Sequence, residues 1–453
     1  MPPNDDPAGV AAAAAAASGD DRRTLRMDVP YERRYQRFIL KNKEFMQQFS
    51  HVYNRRLVQL HAAVRAAAAQ RWGAGGGGDG VPVVERIVQM REGERWVAVG
   101  TLFKAMRLKP CVLDEYKAER GLSHATVIPY GDFTSDDDAL VLEDQSGRIA
   151  LISAEPTPSL CTGVVIAVCG VVQPSGDFLV EDWCPAGIPP QPAMAPATAG
   201  GAGGVDGGDP LVLLASGLQA GGVQDPLPMR MLMDFVAGYI GSADEVSLAA
   251  RIARVVVCGE NVAPPNAEAA ALLAGRGDGT GAAARHLSPA QQRIVAAPSA
   301  ELDTELAQLS AAAPTDVMPG IGDPSNYTLP QQPFHPCLLP LSSRLSTFNA
   351  VTNPYEAVIG SRIFLGTSGQ PLADIMNGKS AADAAADEPW CLQLLEDMLH
   401  WRHLCPTAPD TLGCYPFVDD DPFVVEECPH VFFAGNQPCF ATKAVRGAEG
   451  PQV

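Results

Sequence analysis

Residues 163–172, GVVIAVCGVV, form an apolar, β-branched run of strand length. The turn sequence PSGD follows at 174–177, and residues 178–183, FLVEDW, resume a strand pattern. Proline and glycine between two such runs are typical of a turn between strands. The sequence therefore predicts two strands joined by a turn, with the rest of their sheet close by in the chain.

Further short apolar runs lie upstream, at 96–103, 140–142 and 149–152. Five or six strands so closely spaced predict a small antiparallel barrel of the OB type over residues 83–190. OB barrels often bind single-stranded nucleic acid through aromatic residues and a basic groove. This region carries 9 basic and 16 acidic residues, a net charge of −7. The charge therefore favours a barrel that binds protein.

The N-terminal region differs in composition. Residues 1–21 are rich in alanine, glycine, proline and aspartate and predict a disordered tail. Residues 22–72 carry 12 basic and 3 acidic residues, and the helical spacing of their apolar residues predicts one long amphipathic helix. Its basic stripe could face phosphates or an acidic protein, or simply solvent. The apolar face could pack on the chain's own barrel or sandwich, or be covered by a partner subunit, and we expect it to pack on the chain itself because short connections favour neighbours in space. That face comprises Phe38, Phe45, Phe49, Val52, Tyr53, Leu57, Leu60 and Val64.

Two stretches are predicted to be linkers. Residues 73–82 are rich in glycine, and residues 191–210 are rich in glycine, alanine and proline. The first contains Gly75, Gly77 and Gly80 in G-x-G-x-x-G spacing. A dinucleotide-binding loop must follow a strand and open a helix, whereas this stretch follows a helix. The spacing therefore does not indicate a cofactor site.

Residues 211–453 combine buried strand patterns with helical ones and predict an α/β sandwich. A low-complexity insertion is expected at 263–300. The chain is thus predicted to be multidomain, of mixed α+β and α/β class, with an N-terminal helix, a barrel and a sandwich. In the last part, strands are expected at 211–215, 255–258 and 431–434, and helices at 229–241 and 301–313.

The whole chain is acidic. Its 33 Lys and Arg residues against 52 Asp and Glu residues give a net charge of −19, which disfavours a protein that wraps a polyanion. The 11 cysteines include no C-x-x-C pair, and this pattern indicates reduced thiols in the cytosol or nucleus. We expect no secretory signal and no membrane contact, because the first residues are acidic and every apolar run is short.

Several long motifs carry a family resemblance. They read VGTLFKAM at 99–106, VMPGIGDPSNYTLPQQPFHPCLLP at 317–340, FLGTSGQ at 364–370, PTAPDTLGCYPF at 406–417 and CPHVFFAGNQPCF at 428–440. From about Tyr31 onward, the chain resembles the small accessory (B) subunits of DNA polymerase delta, within the B-subunit family of polymerases alpha, delta and epsilon. The resemblance implies an OB barrel joined to a calcineurin-like phosphodiesterase domain, which is an active nuclease in archaeal relatives and inactive in eukaryotic ones.

The resemblance also shows where an active domain would hold its two metal ions. Such a site needs His, Asp and Asn side chains on loops at strand ends. The expected ligand residues are replaced in all five loops, so we expect no catalytic, cofactor-binding or metal-binding residues. Only Glu260 and Asp323 keep carboxylates. The positions are Gly217 and Gln219 in the first loop, Glu260 and Ala263 in the second, Ile321, Gly322 and Asp323 in the third, Ser368 in the fourth, and Asn436 and Pro438 in the last.

One other group could suggest a metal. His400, His403 and Cys405 lie within six residues, but a tetrahedral zinc ion would need a fourth ligand. We favour the alternative of a helix C-terminus, where His and Arg interact with the negative end of the helix before Pro406.

The resemblance implies a non-catalytic accessory subunit of DNA polymerase delta, acting in DNA replication and repair in the nucleus. Its implied partners are the cysteine-rich C-terminal domain of the large catalytic subunit and a third accessory subunit. The sliding clamp and DNA would be reached only through the complex. Two alternatives are a metal-dependent phosphodiesterase or nuclease, and an independent OB protein that binds single-stranded DNA.

Overall fold

The computed structural model describes residues 26–41, 44, 46–73, 80–109, 134–135, 137–153, 160–193, 208–222, 226–274, 288–378 and 390–446. The predicted tail at 1–21 and most of both predicted linkers lie outside these ranges. Within them, the structure contains a closed barrel, two four-stranded sheets and seven α-helices.

Five strands close the barrel in the order β2-β3-β4-β6-β5. Strands β5 and β6 form the predicted pair, in antiparallel register from Val172 opposite Phe178. A bulge at Cys169 and Gly170 brings the backbones together, since a Cβ on Gly170 would lie 2.0 Å from the Leu179 carbonyl oxygen. The prediction of a small barrel is confirmed, but the barrel is not wholly antiparallel, because β4 and β6 pair in parallel. Its strands are β2 (Arg95–Ala105), β3 (Ala139–Glu143), β4 (Arg148–Ser153), β5 (Val165–Val172) and β6 (Phe178–Pro185).

Helix α1 (Ser50–Trp72) packs on the outside of this barrel. It ends at Gly73, whose left-handed backbone suits a residue without a Cβ. Its buried face shares a core with strands β2, β5 and β6. The helix therefore packs on the chain itself, as the sequence predicted, and of the two possible sites it packs on the barrel. The helix residues in this core are Leu57, Leu60, Val64 and Ala68.

The prediction of one long helix over 22–72 was wrong in its first half. Residues Tyr31–Arg33 form strand β1, which pairs with a strand of the second half of the chain, and a single 3-10 turn follows at Tyr35–Phe38. Phe38 is buried against Phe423, far along the chain. The helical spacing therefore grouped apolar residues that in fact pack in two different cores.

We expect Val64→Ala to destabilise the protein by about 2 kcal/mol, because it removes apolar volume from a fully buried position. The matched control is Val58→Ala on the same helix, where the side chain is 56% exposed and the loss should stay within about 0.5 kcal/mol. Urea unfolding measures both. Equal losses would show that this face of the helix is not packed on the barrel.

The second half of the chain, together with strand β1, forms two sheets packed face to face, which we call the sandwich. One sheet is parallel, in the order β10-β9-β8-β7, and the other is mixed, in the order β1-β11-β12-β13. Alternate residues of β8 point to opposite sides: Val256 and Cys258 enter the core between the sheets, and Val255 and Val257 face the helices outside. The strands are β7 (Leu211–Ala215), β8 (Ile252–Cys258), β9 (Thr315–Met318), β10 (Phe348–Ala350), β11 (Tyr355–Ile359), β12 (Arg362–Thr367) and β13 (Val431–Ala434).

Helices flank the sandwich on both sides. Helices α2 and α5 pack together, and both contribute to the core against the outer face of the parallel sheet. Helices α6 and α7 share a core with the barrel. The remaining helices are α2 (Leu227–Ala237), α3 (Ala243–Ala250), α4 (Ala267–Ala274), α5 (Pro289–Ala312), α6 (Gln370–Asn377) and α7 (Trp390–Trp401).

The helix predicted at 301–313 begins earlier, inside the stretch 263–300 that was predicted to be a low-complexity insertion. Helix α5 begins at Pro289, well before the predicted start at residue 301. Ser288 and Gln291 form a capping box there: the Gln291 N–H donates to Ser288 Oγ, and the Ser288 N–H donates to Gln291 Oε1. This cap starts the helix inside sequence of low complexity.

Among the described residues, no helix is long and apolar enough to cross a membrane.

Candidate functional site

Five loops meet at one edge of the sandwich, where strands β7, β8, β9, β12 and β13 end. The Gly217 N–H donates to the Gly259 carbonyl over 3.0 Å, which joins the first two loops. A Cβ on Gly259 would lie 2.6 Å from Ser368 Cβ and 2.9 Å from Gly320 Cα, so the third and fourth loops are equally close. The five loops singled out in the sequence therefore converge in space, and we call this region the loop cluster.

Asp323 is the best-bonded residue of the loop cluster. Its Oδ1 accepts the backbone N–H groups of Asn261 at 2.8 Å and Val262 at 2.9 Å. Its Oδ2 accepts the Gly320 N–H and the Asn261 side-chain amide, both at 2.7 Å. The side chain is buried. This carboxylate is thus a structural acceptor that ties the second loop to the third.

Glu260 is held much more loosely. Its backbone is left-handed, with φ of 53°, and its Oε1 accepts one N–H, from Gly322 at 3.1 Å. A Cβ on Gly322 would lie 2.9 Å from Glu260 Oε2, so the glutamate side chain lies directly against the third loop. Glu260 and Asp323 therefore differ in role: one is half-exposed and singly bonded, the other is buried and saturated.

Asn436 joins the last loop to the others. Its side-chain amide donates to the carbonyls of Cys258 at 3.1 Å and Ser368 at 2.9 Å, and its backbone N–H donates to Ser216 Oγ at 2.9 Å. A Cβ on Gly435 would lie 2.5 Å from the Cys258 carbonyl oxygen. An amide and two backbone segments therefore fill the space between the strand ends.

Behind the loops lies a group of buried and half-buried amides that the sequence reasoning missed. Asn353 Nδ2 lies within 2.8 Å of Gln331 Oε1, Ser368 Oγ and Gln370 Oε1. Gln331 Nε2 in turn donates to the Gly320 carbonyl at 2.8 Å. We call Gln331, Asn353 and Gln370 the amide network. Gln331 and Gln370 lie inside the long motifs at 317–340 and 364–370. Their place in these motifs was the sequence signal that could have identified them.

Not every predicted position takes part in these contacts. Ala263 is buried, and its N–H donates to the Ala220 carbonyl at 3.0 Å. Ile321 is 50% exposed, and Pro438 is exposed. Gln219 has a left-handed backbone, with φ of 47°, and its N–H donates to the Glu260 carbonyl. These side chains lie at the margin of the loop cluster.

The donor set of the loop cluster consists mainly of neutral groups. To bind a cation, Asp323 would have to give up hydrogen bonds from four N–H groups. The side-chain NH₂ groups of Asn261 and Asn436 donate to backbone carbonyls or to Asp323 itself. Within the described ranges, no group of three or more His, Cys, Asp and Glu side chains is arranged to hold a metal ion. The arrangement is suited to binding loops together.

The residues of the possible zinc cluster separate into two environments. His400 lies in the last turn of helix α7, as expected for a helix C-terminus. His403 is buried beyond that helix, where its Nε2 lies 2.9 Å from Asp421 Oδ2 and its Nδ1 accepts the Cys405 N–H at 3.1 Å. Burial raises the pKa of the Cys405 thiol. Both ring nitrogens of His403 are engaged by protein groups, so this imidazole has no nitrogen left for a metal ion.

Models of known protein families match both halves of the chain. A family model described as DNA polymerase delta subunit OB-fold domain matches residues 48–183, which include helix α1 and the barrel, and it confirms the OB type. A second model, which describes the B subunits of DNA polymerases alpha and epsilon, matches residues 212–442. Those residues form most of the sandwich.

Full-length relatives agree with these matches. The chain is 38% identical over 440 residues to the DNA polymerase delta small subunit of Oryza sativa subsp. japonica, covering 94% of this chain and 91% of that protein. Identity to the Arabidopsis thaliana protein of the same name is 39%, over 90% and 84% of the two chains. The Saccharomyces cerevisiae small subunit is 30% identical, over 89% and 83%. With a matching OB-fold domain, a matching polymerase B-subunit domain and these relatives, the chain belongs to the DNA polymerase delta small subunit family.

Proposed function

We propose that this chain is a non-catalytic scaffold within DNA polymerase delta, which holds the C-terminal domain of the catalytic subunit and another accessory subunit. In this proposal it acts in the nucleus during replication and repair, and it reaches DNA and the sliding clamp only through the complex. The observation that carries the proposal is the state of Asp323: the buried carboxylate of the loop cluster is fully used as an acceptor for four N–H groups.

The proposal includes a domain arrangement. Residues 83–190 would form the OB domain, preceded by the helical region 22–72 and the linker 73–82. Residues 211–453, after the linker 191–210, would form a calcineurin-like phosphodiesterase domain without its metal ligands. Two sheets packed face to face, with loops converging at their carboxyl ends, support that assignment.

Co-expression with the catalytic subunit tests the scaffold role. We expect the full chain and the catalytic subunit's C-terminal domain to co-purify as a complex that survives gel filtration at micromolar concentration. Glu260→Gln serves as a control variant that should bind equally well, because the proposal gives this carboxylate no essential role. Separate elution of the two proteins, each folded, would contradict the proposal.

The enzyme alternative predicts hydrolysis, and we expect none. The purified chain with Mn²⁺ should release no product from a phosphodiester substrate or from single-stranded DNA above the buffer rate. The groups at the loop cluster are amides, glycines, the saturated carboxylate of Asp323 and a single half-exposed carboxylate, Glu260. Manganese-dependent turnover that persisted after repurification, and that was lost in Glu260→Ala, would establish the enzyme alternative instead.

The single-strand binding alternative has little support in the barrel. Such proteins combine a basic groove with exposed aromatic side chains on which bases stack. Residues 83–190 carry a net charge of −7. The aromatic residues of the barrel that the structure describes are buried or half-buried. They are Trp96, Phe103, Phe178 and Trp183.

A further inference from the structure

Arg56 is a fully buried arginine on helix α1. Its guanidinium donates four hydrogen bonds: Nε to Asp421 Oδ2 at 2.8 Å, Nη1 to the carbonyls of Gly163 at 3.1 Å and Pro406 at 2.7 Å, and Nη2 to the Ala408 carbonyl at 2.7 Å. The acceptors come from sequence positions 107 residues away and 350 or more residues away. One side chain thus joins three distant segments.

Asp421, the carboxylate that forms an ion pair with Arg56, is completely buried. Its Oδ2 is shared by Arg56 Nε and His403 Nε2, its Oδ1 accepts the Phe423 N–H at 3.1 Å, and its own N–H donates to Gln59 on helix α1. Burial by itself would raise the pKa of this carboxyl, but His403 and Arg56 hold it well below its usual range. The ion pair therefore has no exposure to water on either side.

These contacts connect the two halves of the molecule. Helix α1 shares its core with the barrel, and Gly163 precedes barrel strand β5. Leu404, Ala408 and Phe423, from the segment that carries Pro406 and Asp421, lie in the core of the sandwich.

The fit at the junction is close. Gly163 has φ of 89°, and a Cβ there would lie 1.9 Å from the Pro406 carbonyl oxygen and 2.5 Å from Arg56 Nη1. A second arginine makes the reverse contact, from the sandwich to the barrel side: Arg402 Nε donates to the carbonyl of Gly187, just after the barrel, at 2.6 Å. Both arginines bind backbone carbonyls of the other half.

We infer that Arg56, Asp421 and His403 form a latch that fixes the barrel and the sandwich in one relative orientation, so that the chain behaves as a single rigid body. Opening the junction would leave a buried guanidinium and a buried carboxylate without partners, and removing one partner of such a pair is strongly unfavourable. Surfaces on the two halves are therefore presented to other subunits at a fixed angle. The rigidity itself does not depend on the scaffold proposal.

Calorimetry of the full chain is the first test, and it needs no variant. A rigid body should unfold in one cooperative transition whose calorimetric and van't Hoff enthalpies agree. Two resolved transitions in the unaltered chain, one for each half, would overturn the inference.

Native-state hydrogen exchange of variants is the second test. In Asp421→Asn, amide exchange should rise roughly 100-fold or more, both in the first half of helix α1 and in residues 402–425, because the latch opens on both sides together. Arg71→Ala is the matched control: Arg71 lies on the same helix and pairs with Asp182, but that pair is partly exposed and stays within the barrel half. It should change exchange only near the end of the helix.

The variants distinguish a latch from a local stabilising contact. If Asp421→Asn raised exchange in residues 402–425 alone, with helix α1 and the single transition unchanged, the inference would be wrong. Should Asp421→Asn fail to fold, Arg56→Lys keeps the positive charge but can satisfy fewer of the four acceptors, and the same paired rise in exchange is expected. The absence of that paired rise in Arg56→Lys would equally overturn it.

Discussion

Asp323→Asn is expected to destabilise the protein almost as much as Asp323→Ala, by about 3–5 kcal/mol. Each carboxylate oxygen of Asp323 accepts two N–H groups. An asparagine supplies only one oxygen, so in either orientation its NH₂ group faces two donors. The usual conservative replacement of a carboxylate therefore fails here, and chemical denaturation of the two variants should give similar losses.

Glu260 provides the control for this prediction. It accepts a single N–H, from Gly322, through one oxygen, and a glutamine can supply that oxygen. Glu260→Gln should change the free energy of unfolding by no more than about 0.5 kcal/mol. A mild effect of Asp323→Asn, comparable with that of Glu260→Gln, would mean that Asp323 does not hold the loop cluster together.

Acidification from about pH 6.5 to about pH 4 is expected to cost the protein about 3 kcal/mol through His403 alone. Burial, and then the charge of Arg56, lower the pKa of His403 from 6.5 to about 4. Because its Nδ1 accepts the Cys405 N–H, the ring is neutral in the folded protein. As the pH falls below about 6.5, the unfolded chain binds a proton at His403, whereas the folded chain does so only near pH 4. The free energy of unfolding therefore decreases as the pH is lowered across this window.

Urea unfolding at a series of pH values tests this prediction. His403→Gln, which cannot titrate, should flatten the dependence between pH 6.5 and 4, whatever its effect at pH 7.5. Asp421 does not contribute in this window, because its lowered pKa makes its stabilising effect disappear only below its unfolded value near 4. His430, whose pKa is also lowered by burial and by Arg362, leaves a smaller residual slope of the same sign. An unchanged slope in His403→Gln would refute the assignment.

Local patterns identified much of the fold. The two strand runs around the PSGD turn needed only residues that are close in sequence, and they form β5 and β6. Strands β7, β8 and β13 followed from short apolar runs in the same way. The long motifs led to a family that the matching domain models and relatives confirm.

The N-terminal region shows where such patterns fail. Phe38 and Leu60 fit one helical stripe, yet they lie in the sandwich core and the barrel core respectively. Residues Tyr31–Arg33 pair with strand β11, more than 300 positions away. A strand at a sheet edge is determined by its partner, which periodicity within a short window does not include.

For the candidate site, too, part could be predicted from the sequence and part was decided only by the tertiary structure. The sequence, through its family resemblance, singled out the five loops and predicted that they lack metal-ligand residues, because that comparison needs only residue identities. Only the tertiary structure decided that Asp323 is saturated by four N–H groups and that Asn436 and the amide network join the loops. It likewise decided that His403, which sequence spacing placed near Cys405, belongs to a buried pair with Asp421 and Arg56. The physical reason is that the hydrogen-bond partners and burial of these polar groups come from segments brought together only when the barrel and the sandwich pack.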